Sequence, residues 1–294
     1  MTAPHIVALI PTISGARIAA AGPWIAGLSA HGVDVRVVAN AASVVASPPS
    51  VGARVIDSRA NSGFARSLTA AMATIDAWDW VILLNDDLLL DETSPARIRA
   101  AIVEAASDIL LFDPEPARPI PGRRGVFESL SLFEAVLARL RRRRKRFSAG
   151  PGAPTYKSFS AVAISHAVWS DLGGLDDRFV FCFEDAYFVR AHLARGGSTP
   201  ASVDVGITHD KSTTTGRHIA RVLPAIAYSA RTYLVATGCR PRLAEALVLL
   251  ALVARLPLVP FAAAPIRPHV LGILRSLLAV ARRREPALPR YELL

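Results

Sequence analysis

Short apolar runs of strand length alternate with helix-like stretches over residues 5–112, and this alternation limits the fold more than any other feature. His5–Thr12 and Val33–Asn40 are buried-strand runs separated by a helical stretch ending near Gly32. Arg54–Ser58 predicts a third strand, Gly63–Ala77 a helix and Trp80–Asn85 a fourth strand. Ser94 reads as a helix N-cap with Pro95 in the first helical position, opening a helix to about Ala106 before a strand over Asp108–Phe112. Such alternation implies an α/β fold, a mostly parallel sheet with helices on both faces, and a ligand site beyond the C-terminal strand ends.

The pattern breaks between Pro114 and Pro154, where proline, glycine and arginine dominate and a helix is expected near Glu128–Arg146. It resumes with an apolar strand from Lys157 to Ser165, a helix over His166–Leu172, a turn at Gly173–Gly174 and a helix from Glu184 to Arg195. Ala201–His209 reads as a final strand, and His218–Thr237 and Leu243–Ala254 as helices. The expected division is a domain over 1–237, made of halves 1–112 and 157–237 around an insertion 113–156, followed by an apolar helical extension over 238–294. No solenoid-length repeat is visible.

A hydrophobic content of 52% supplies a core and excludes global disorder. Cys182 and Cys239 cannot build a disulfide framework, and the opening MTAPHIVALIPTISG reads as a first strand rather than a signal peptide; both suit the cytosol. A net charge of +10 points to anionic partners.

Three clusters carry chemistry. Val81–Leu84 ends abruptly in Asn85-Asp86-Asp87, and adjacent acids at a strand end repel unless a cation or hydrogen-bond donors compensate. Hard carboxylate oxygens suit Mg²⁺ or Mn²⁺ bridging to substrate phosphates, although acids at strand ends also serve simply as loop caps. Glu184-Asp185 follows the aromatic run Phe181-Cys182-Phe183 and opens a helix, where the helix dipole favours an ionised carboxylate able to act as a base; ordinary capping gives the same pattern. Thr208-His209-Asp210 places a histidine at a strand end, a group able to bind a divalent ion.

In this order, Asn85–Asp87, Gly173-Gly174-Leu175-Asp176, Phe183-Glu184-Asp185 and Thr208-His209 resemble the family 2 glycosyltransferases of GT-A fold, with rhamnosyltransferase-like and galactofuranosyltransferase-like members nearest. Asn61-Ser62-Gly63-Phe64-Ala65 is similar to that family's N-x-G-F element beside the donor nucleotide. The resemblance covers roughly residues 5–235. It implies an inverting transfer of a sugar from a dTDP- or UDP-linked donor to a cell-envelope glycan or lipid-linked acceptor, with rhamnose the favoured sugar. Asp87 and His209 are then the metal ligands, Asp185 the base, and Glu184 its neighbour holding the base or the acceptor. The donor side takes in Pro11, Thr12, Asn40, Asn61, Gly63, Phe64, Asn85, Asp86 and Gly174.

Two positions depart from the family pattern. Ala39-Asn40 stands where an aspartate-asparagine pair is usual, and Thr69 where a second asparagine is common. They leave a non-catalytic, membrane-peripheral binding protein on a degenerate GT-A scaffold as the alternative. A nucleotidyltransferase is disfavoured because Pro11-Thr12-Ile13-Ser14-Gly15 lacks a glycine- and arginine-rich phosphate loop.

Arg141–Arg146 is a run of cations without a nucleic-acid recognition module; a solvated helix face accounts for such a run, and an anionic membrane surface is the preferred partner, at about 1 kcal/mol per basic residue near the headgroups. Ala244–Ala264 is apolar enough for a membrane but interrupted by Arg255, Pro257 and Pro260, which favours an in-plane or re-entrant helix over a crossing, with a buried helix pair packed on the domain as an equal alternative; Leu271–Val280 followed by Arg282–Arg284 repeats the arrangement. The resulting expectation is a cytoplasmic protein, peripheral on the inner face of the cell membrane.

Overall fold

Alternate residues of one strand face opposite ways, and in β1 (Ile6–Thr12) both sets are apolar: Ile6, Ala8 and Ile10 enter one core, Val7 and Leu9 another. A strand buried on both faces needs helices on both, and the chain supplies them. The computed structural model describes residues 3–46, 52–133, 136, 154–209, 219–262 and 265–288. After β1 come α1 (Gly15–Ala30), β2 (Val33–Ala39), α2 (Ala42–Ala46), β3 (Ala53–Asp57), α3 (Phe64–Met72), β4 (Trp80–Leu84), β5 (Leu88–Leu90), α4 (Ser94–Val103) and β6 (Ile109–Leu111). The short pair β7 (Arg118–Pro119) and β8 (Thr155–Tyr156) brackets α5 (Arg123–Ser131). There follow β9 (Ala161–Ser165), α6 (His166–Leu172), α7 (Glu184–Ala194), β10 (Ala201–Ser202), β11 (Ile207–His209), α8 (Ile219–Ala236), α9 (Pro241–Arg255), a 3-10 turn over Leu256–Phe261, and α10 (Ile266–Ala281).

The main sheet has seven strands in the order β10-β6-β9-β4-β1-β2-β3, parallel except for β9, which runs antiparallel to both β4 and β6. α1 and α4 cover one face through Ile18, Ile25, Leu28, Ile98 and Ile102. α3, α6 and α7 cover the other through Leu68, Trp169 and Phe188.

Several boundaries differ from those read in the sequence. Ser94 is not the cap of α4 but its first residue; Asp91 Oδ1 accepts the N–H groups of Thr93 and Ser94, both at 2.8 Å, and does the capping. The helix expected over Gly63–Ala77 stops at Met72, because Asp79 must turn back to exchange hydrogen bonds with His5 at the start of β1. The strand expected over Ala201–His209 is two strands in two sheets: β10 extends the main sheet, while β11 leaves it to pair antiparallel with β5. Gly206 makes that break. Its φ is +78°, and a Cβ there would lie 2.3 Å from the Asp91 carboxylate. The helix expected near Glu128–Arg146 starts earlier and ends where Leu132 turns left-handed; Arg141–Arg146 lies outside the described residues.

The C-terminal helices share a third core with the half over 157–237 and with α5. Leu223, Tyr233, Val248, Leu252 and Ile273 pack with Val126 and Leu130 of α5 and with Phe179, Phe183 and Ala186 beside the start of α7. The division drawn at residue 237 therefore runs through a continuous core. Arg255 is buried in it, donating to the Leu130 carbonyl at 2.6 Å and to His269 Nε2 at 2.7 Å. Burial and the Arg255 charge push His269 down to about 4, so the ring is neutral and can accept that bond. Replacing Arg255 by alanine is expected to destabilise the chain by about 3 kcal/mol, measurable by denaturant melts, because a buried carbonyl and imidazole lose their donor and a cavity opens.

Candidate active site

β4 delivers Asn85 at its C-terminal end, and the backbone there is tied across the sheet by Asn85 N–H donating to the Ser160 carbonyl at 2.8 Å. Asp86 turns toward β1. Its carboxylate accepts from Thr12 Oγ1 at 2.6 Å and from the Arg17 guanidinium at 3.1 Å. Burial raises the Asp86 carboxyl above the ordinary range, and the Thr12 and Arg17 bonds oppose that rise. Asp86 thus locks the strand end to α1. Asp87 lines, with Arg17, Asp86 and Leu88, a cleft of about 110 Å³. β11 pairs His209 opposite Leu88, bringing its backbone level with the residue that follows Asp87. Asp210, Lys211 and Ser212 lie outside the described residues.

The second acidic pair opens α7. Cys182 and Phe183 just before it are both left-handed, at φ +66° and +72°, a conformation that costs a non-glycine residue roughly 1–2 kcal/mol. Packing and hydrogen bonds hold it there: Phe183 is buried against Tyr233, and Ser229 Oγ of α8 accepts the N–H groups of Val180 and Phe181 at 3.0 and 3.1 Å. Glu184 and Asp185 consequently face a cavity of about 330 Å³, lined also by Phe64, Asn85, Arg118, Tyr156 and Ser160.

The sequence predicts a carboxylate kept ionised by the helix dipole, worth about 0.5 kcal/mol. Burial outweighs the dipole. It pushes Glu184 up to about 8, with the Asp185 charge adding to the rise, and Asp185 up to about 6, where the Ala186 N–H at 2.7 Å and Arg118 hold it lower. Burial thus favours the neutral form of both acids, and of Glu184 more strongly than of Asp185. Glu184 Oε2 is buried with no hydrogen-bond partner among the described residues.

The N-x-G-F element meets this cavity at Phe64, and Asn61 sits half-buried in the loop before it. Gly63 has φ +92°, and a Cβ there would come within 2.5 Å of the Val180 carbonyl, on the segment leading to the acids. Gly63→Ala is therefore expected to cost about 2 kcal/mol of stability and to displace the Val180 segment, read as a lower melting temperature.

Thr69 accounts for itself. Its hydroxyl accepts the Leu175 N–H at 3.2 Å and donates to the Leu175 carbonyl at 3.1 Å, bracing the Gly173-Gly174 turn against α3. Gly174, at φ +82°, sits where a Cβ would press on Thr69 and Trp169. Asn40 is buried, with its amide donating to Ser67 and accepting from Ser58, and its N–H reaches the Thr12 carbonyl at 2.9 Å. It ties β2 to β1, Pro11 and Thr12 lying level with Val38 and Ala39. Ala39 itself is buried and offers no polar side chain.

Sequence reasoning missed Arg17, Arg118, Tyr156, Ser160 and Ser229. Arg118 and Tyr156 sit at the ends of the Pro- and Arg-rich segment read as an insertion, and only the β7–β8 pairing brings them to the acids. Nothing local marks Ser229, a small polar residue inside an apolar helix.

No family model matches the sequence, and no curated protein matches it. Among solved structures, a mycobacterial protein is similar over 81% of this chain and 76% of its own, at 17% identity and a TM-score of 0.50. Staphylococcus aureus TarS residues 1–349, solved with UDP-GlcNAc, is similar over 95% of this chain and 92% of its own, at 10% identity and a TM-score of 0.48. Likeness at these identities speaks to the fold alone. The mostly parallel seven-stranded sheet flanked by helices is the α/β architecture expected from the sequence.

Proposed function

We propose that the protein is an inverting glycosyltransferase that moves a sugar from a UDP- or dTDP-linked donor to a hydroxyl of a cell-envelope glycan or lipid-linked acceptor. The observation that carries this reading is that Asn85, at the end of β4, and the Glu184–Asp185 pair, far away in sequence, line the same cavity with Phe64. Asp185 is the base: it is ionised at neutral pH, yet its raised pKa leaves it basic enough to take a proton from an acceptor hydroxyl. Glu184, protonated beside it, supplies a hydrogen-bond donor that holds the acceptor oxygen or the base. Arg118 limits the negative charge that two neighbouring acids would build up.

Asp87 and His209 would hold Mg²⁺ or Mn²⁺. One carboxylate with one imidazole is a donor set these ions accept when diphosphate oxygens complete the shell, and among the described residues no group of three or more acidic, histidine or cysteine side chains gathers that could form an all-protein cage. The bound ion would neutralise charge on the departing diphosphate. On the donor side, Phe64 and Asn85 contact the nucleotide sugar, Asn61 and Gly63 shape its loop, and Pro11, Thr12, Asn40, Asp86 and Gly174 keep that loop and the strand ends in place. Rhamnose is the sugar the family resemblance favours.

The test is release of nucleoside diphosphate from a panel of UDP- and dTDP-sugars with envelope-derived acceptors, with and without EDTA. Turnover of at least one donor, abolished by EDTA and restored by Mn²⁺, is the expected result. Nucleotide binding without turnover across the panel would favour the non-catalytic alternative, for which Ala39 is the remaining structural argument.

A further inference from the structure

In a water-soluble helix packed on a domain, large apolar side chains face inward and polar ones outward; α9 and α10 carry large apolar side chains on both faces. Their inward stripes set small residues, Ala244, Ala251, Gly272 and Ser276, among larger ones, Val248, Leu252, Ile273 and Val280, all buried. Gly272 lies so close to α8 that a Cβ would be 2.9 Å from the Ile219 carbonyl. Their outward stripes carry leucines at helical spacing: Leu243 and Leu250 on α9, and Leu271, Leu274 and Leu278 on α10, exposed by 42–58%. Phe261 and Ile266 continue this surface between the helices, exposed by 50% and 55%. Small residues between helices with leucine outside is the arrangement of helices whose outer solvent is lipid.

Charge identifies the lipid. Residues 238–288 hold eight arginines and two glutamates, and both glutamates are already paired, Glu245 with Arg283 and Glu285 with Arg66. Arg267, Arg275 and Arg282 flank the leucine stripe of α10, where their stems can lie along apolar surface with the charge at headgroup level. By length and composition Pro241–Phe261 could cross a bilayer. The buried bonds from Arg255 to Leu130 and His269 argue against crossing, since a spanning helix would have to break them and carry the cation into hydrocarbon.

We infer that the outer face of α9, the 3-10 turn and α10 is a membrane-docking surface that lies in the plane of an anionic bilayer, its leucines in the acyl boundary and its arginines on the headgroups. The inference goes beyond the catalytic reading and does not depend on it. Such a surface holds the cavity at a membrane, where a lipid-linked acceptor resides.

Flotation of the full chain with phosphatidylcholine vesicles, with and without phosphatidylglycerol, tests it. The protein is expected to float with the phosphatidylglycerol vesicles, less so as salt is raised. The double variant Leu250→Glu with Leu274→Glu, at positions already exposed to water, should keep its melting temperature and lose about a hundredfold in partitioning. Arg267→Glu with Arg282→Glu should abolish the preference for anionic vesicles. Failure of the unaltered protein to float with either vesicle, or equal flotation of the leucine variant, overturns the inference. So does light scattering that shows a dimer dissociated by the leucine variant, which would make this face an interface between two copies. Vesicle binding is read without any sugar transfer, so this result stands apart from that of the donor panel.

Discussion

Asp185→Asn is expected to lower sugar transfer by about a thousandfold while leaving the fold and nucleotide binding intact. The amide keeps the shape of the side chain and can still accept the Ala186 N–H, but it cannot take a proton. The unaltered enzyme should give a bell-shaped pH profile of kcat/KM. Activity rises with pH through about 6 as Asp185 ionises, and falls above about 8 as Glu184 loses the proton with which it donates. Because the two carboxyls interact, the two limbs belong to the pair. Glu184→Gln retains a neutral donor and should remove the alkaline limb while sparing the acid one. A profile that keeps its alkaline limb in Glu184→Gln would remove Glu184 from the assignment, and unchanged turnover in Asp185→Asn would remove the base.

The same burial has a consequence for stability. A carboxyl whose pKa is higher in the folded chain than in the unfolded one contributes stability at low pH, and that contribution is lost as pH rises through the folded value. Glu184 therefore weakens the fold progressively between the ordinary carboxylate range and about 8. Glu184→Gln should be more stable than the unaltered protein on the alkaline side of that window, by thermal melting, and lose the advantage on the acid side.

The second large effect belongs to Asp87. Asp87→Ala is expected to reduce turnover by about a hundredfold or more and to abolish the dependence of UDP binding on Mn²⁺. Calorimetry of UDP with and without Mn²⁺ reads this without any transfer reaction, so it separates metal binding from catalysis. Asp86→Ala should behave differently. Asp86 is held by Thr12 and Arg17, so its loss loosens the joint between β1, α1 and the end of β4 and shows first as a lower melting temperature. If Asp87→Ala binds UDP with the unaltered Mn²⁺ dependence, the metal assignment fails.

Ala39 and Thr69, the two departures from the family pattern, separate once the side chains are placed. Thr69 bonds both backbone groups of Leu175, so its hydroxyl is occupied in bracing the Gly173-Gly174 turn. Ala39 has no comparable substitute, although Asn40 beside it is occupied in holding β2 to its neighbours. Under the proposed function, donor recognition at the end of β2 would rest on backbone groups or on other side chains.

The α/β class, the strand that ends in Asn85-Asp86-Asp87 and the helix that opens with Glu184-Asp185 were legible in the sequence, because apolar periodicity and its abrupt interruption are local properties of the chain. The splitting of residues 201–209 between two sheets was not, since the break at Gly206 depends on Asp91, far away in sequence. The upward push on Glu184 was equally out of reach: helix position argues for an ionised acid, and only the walls folded around it supply the desolvation that reverses the sign. The apolar C-terminal stretch could be read for its composition but not for its orientation. Which of its faces is buried is set by packing against α5 and α8, and that packing turns Val248, Leu252 and Ile273 inward beside the small residues and leaves Leu243, Leu250, Leu271, Leu274 and Leu278 outside.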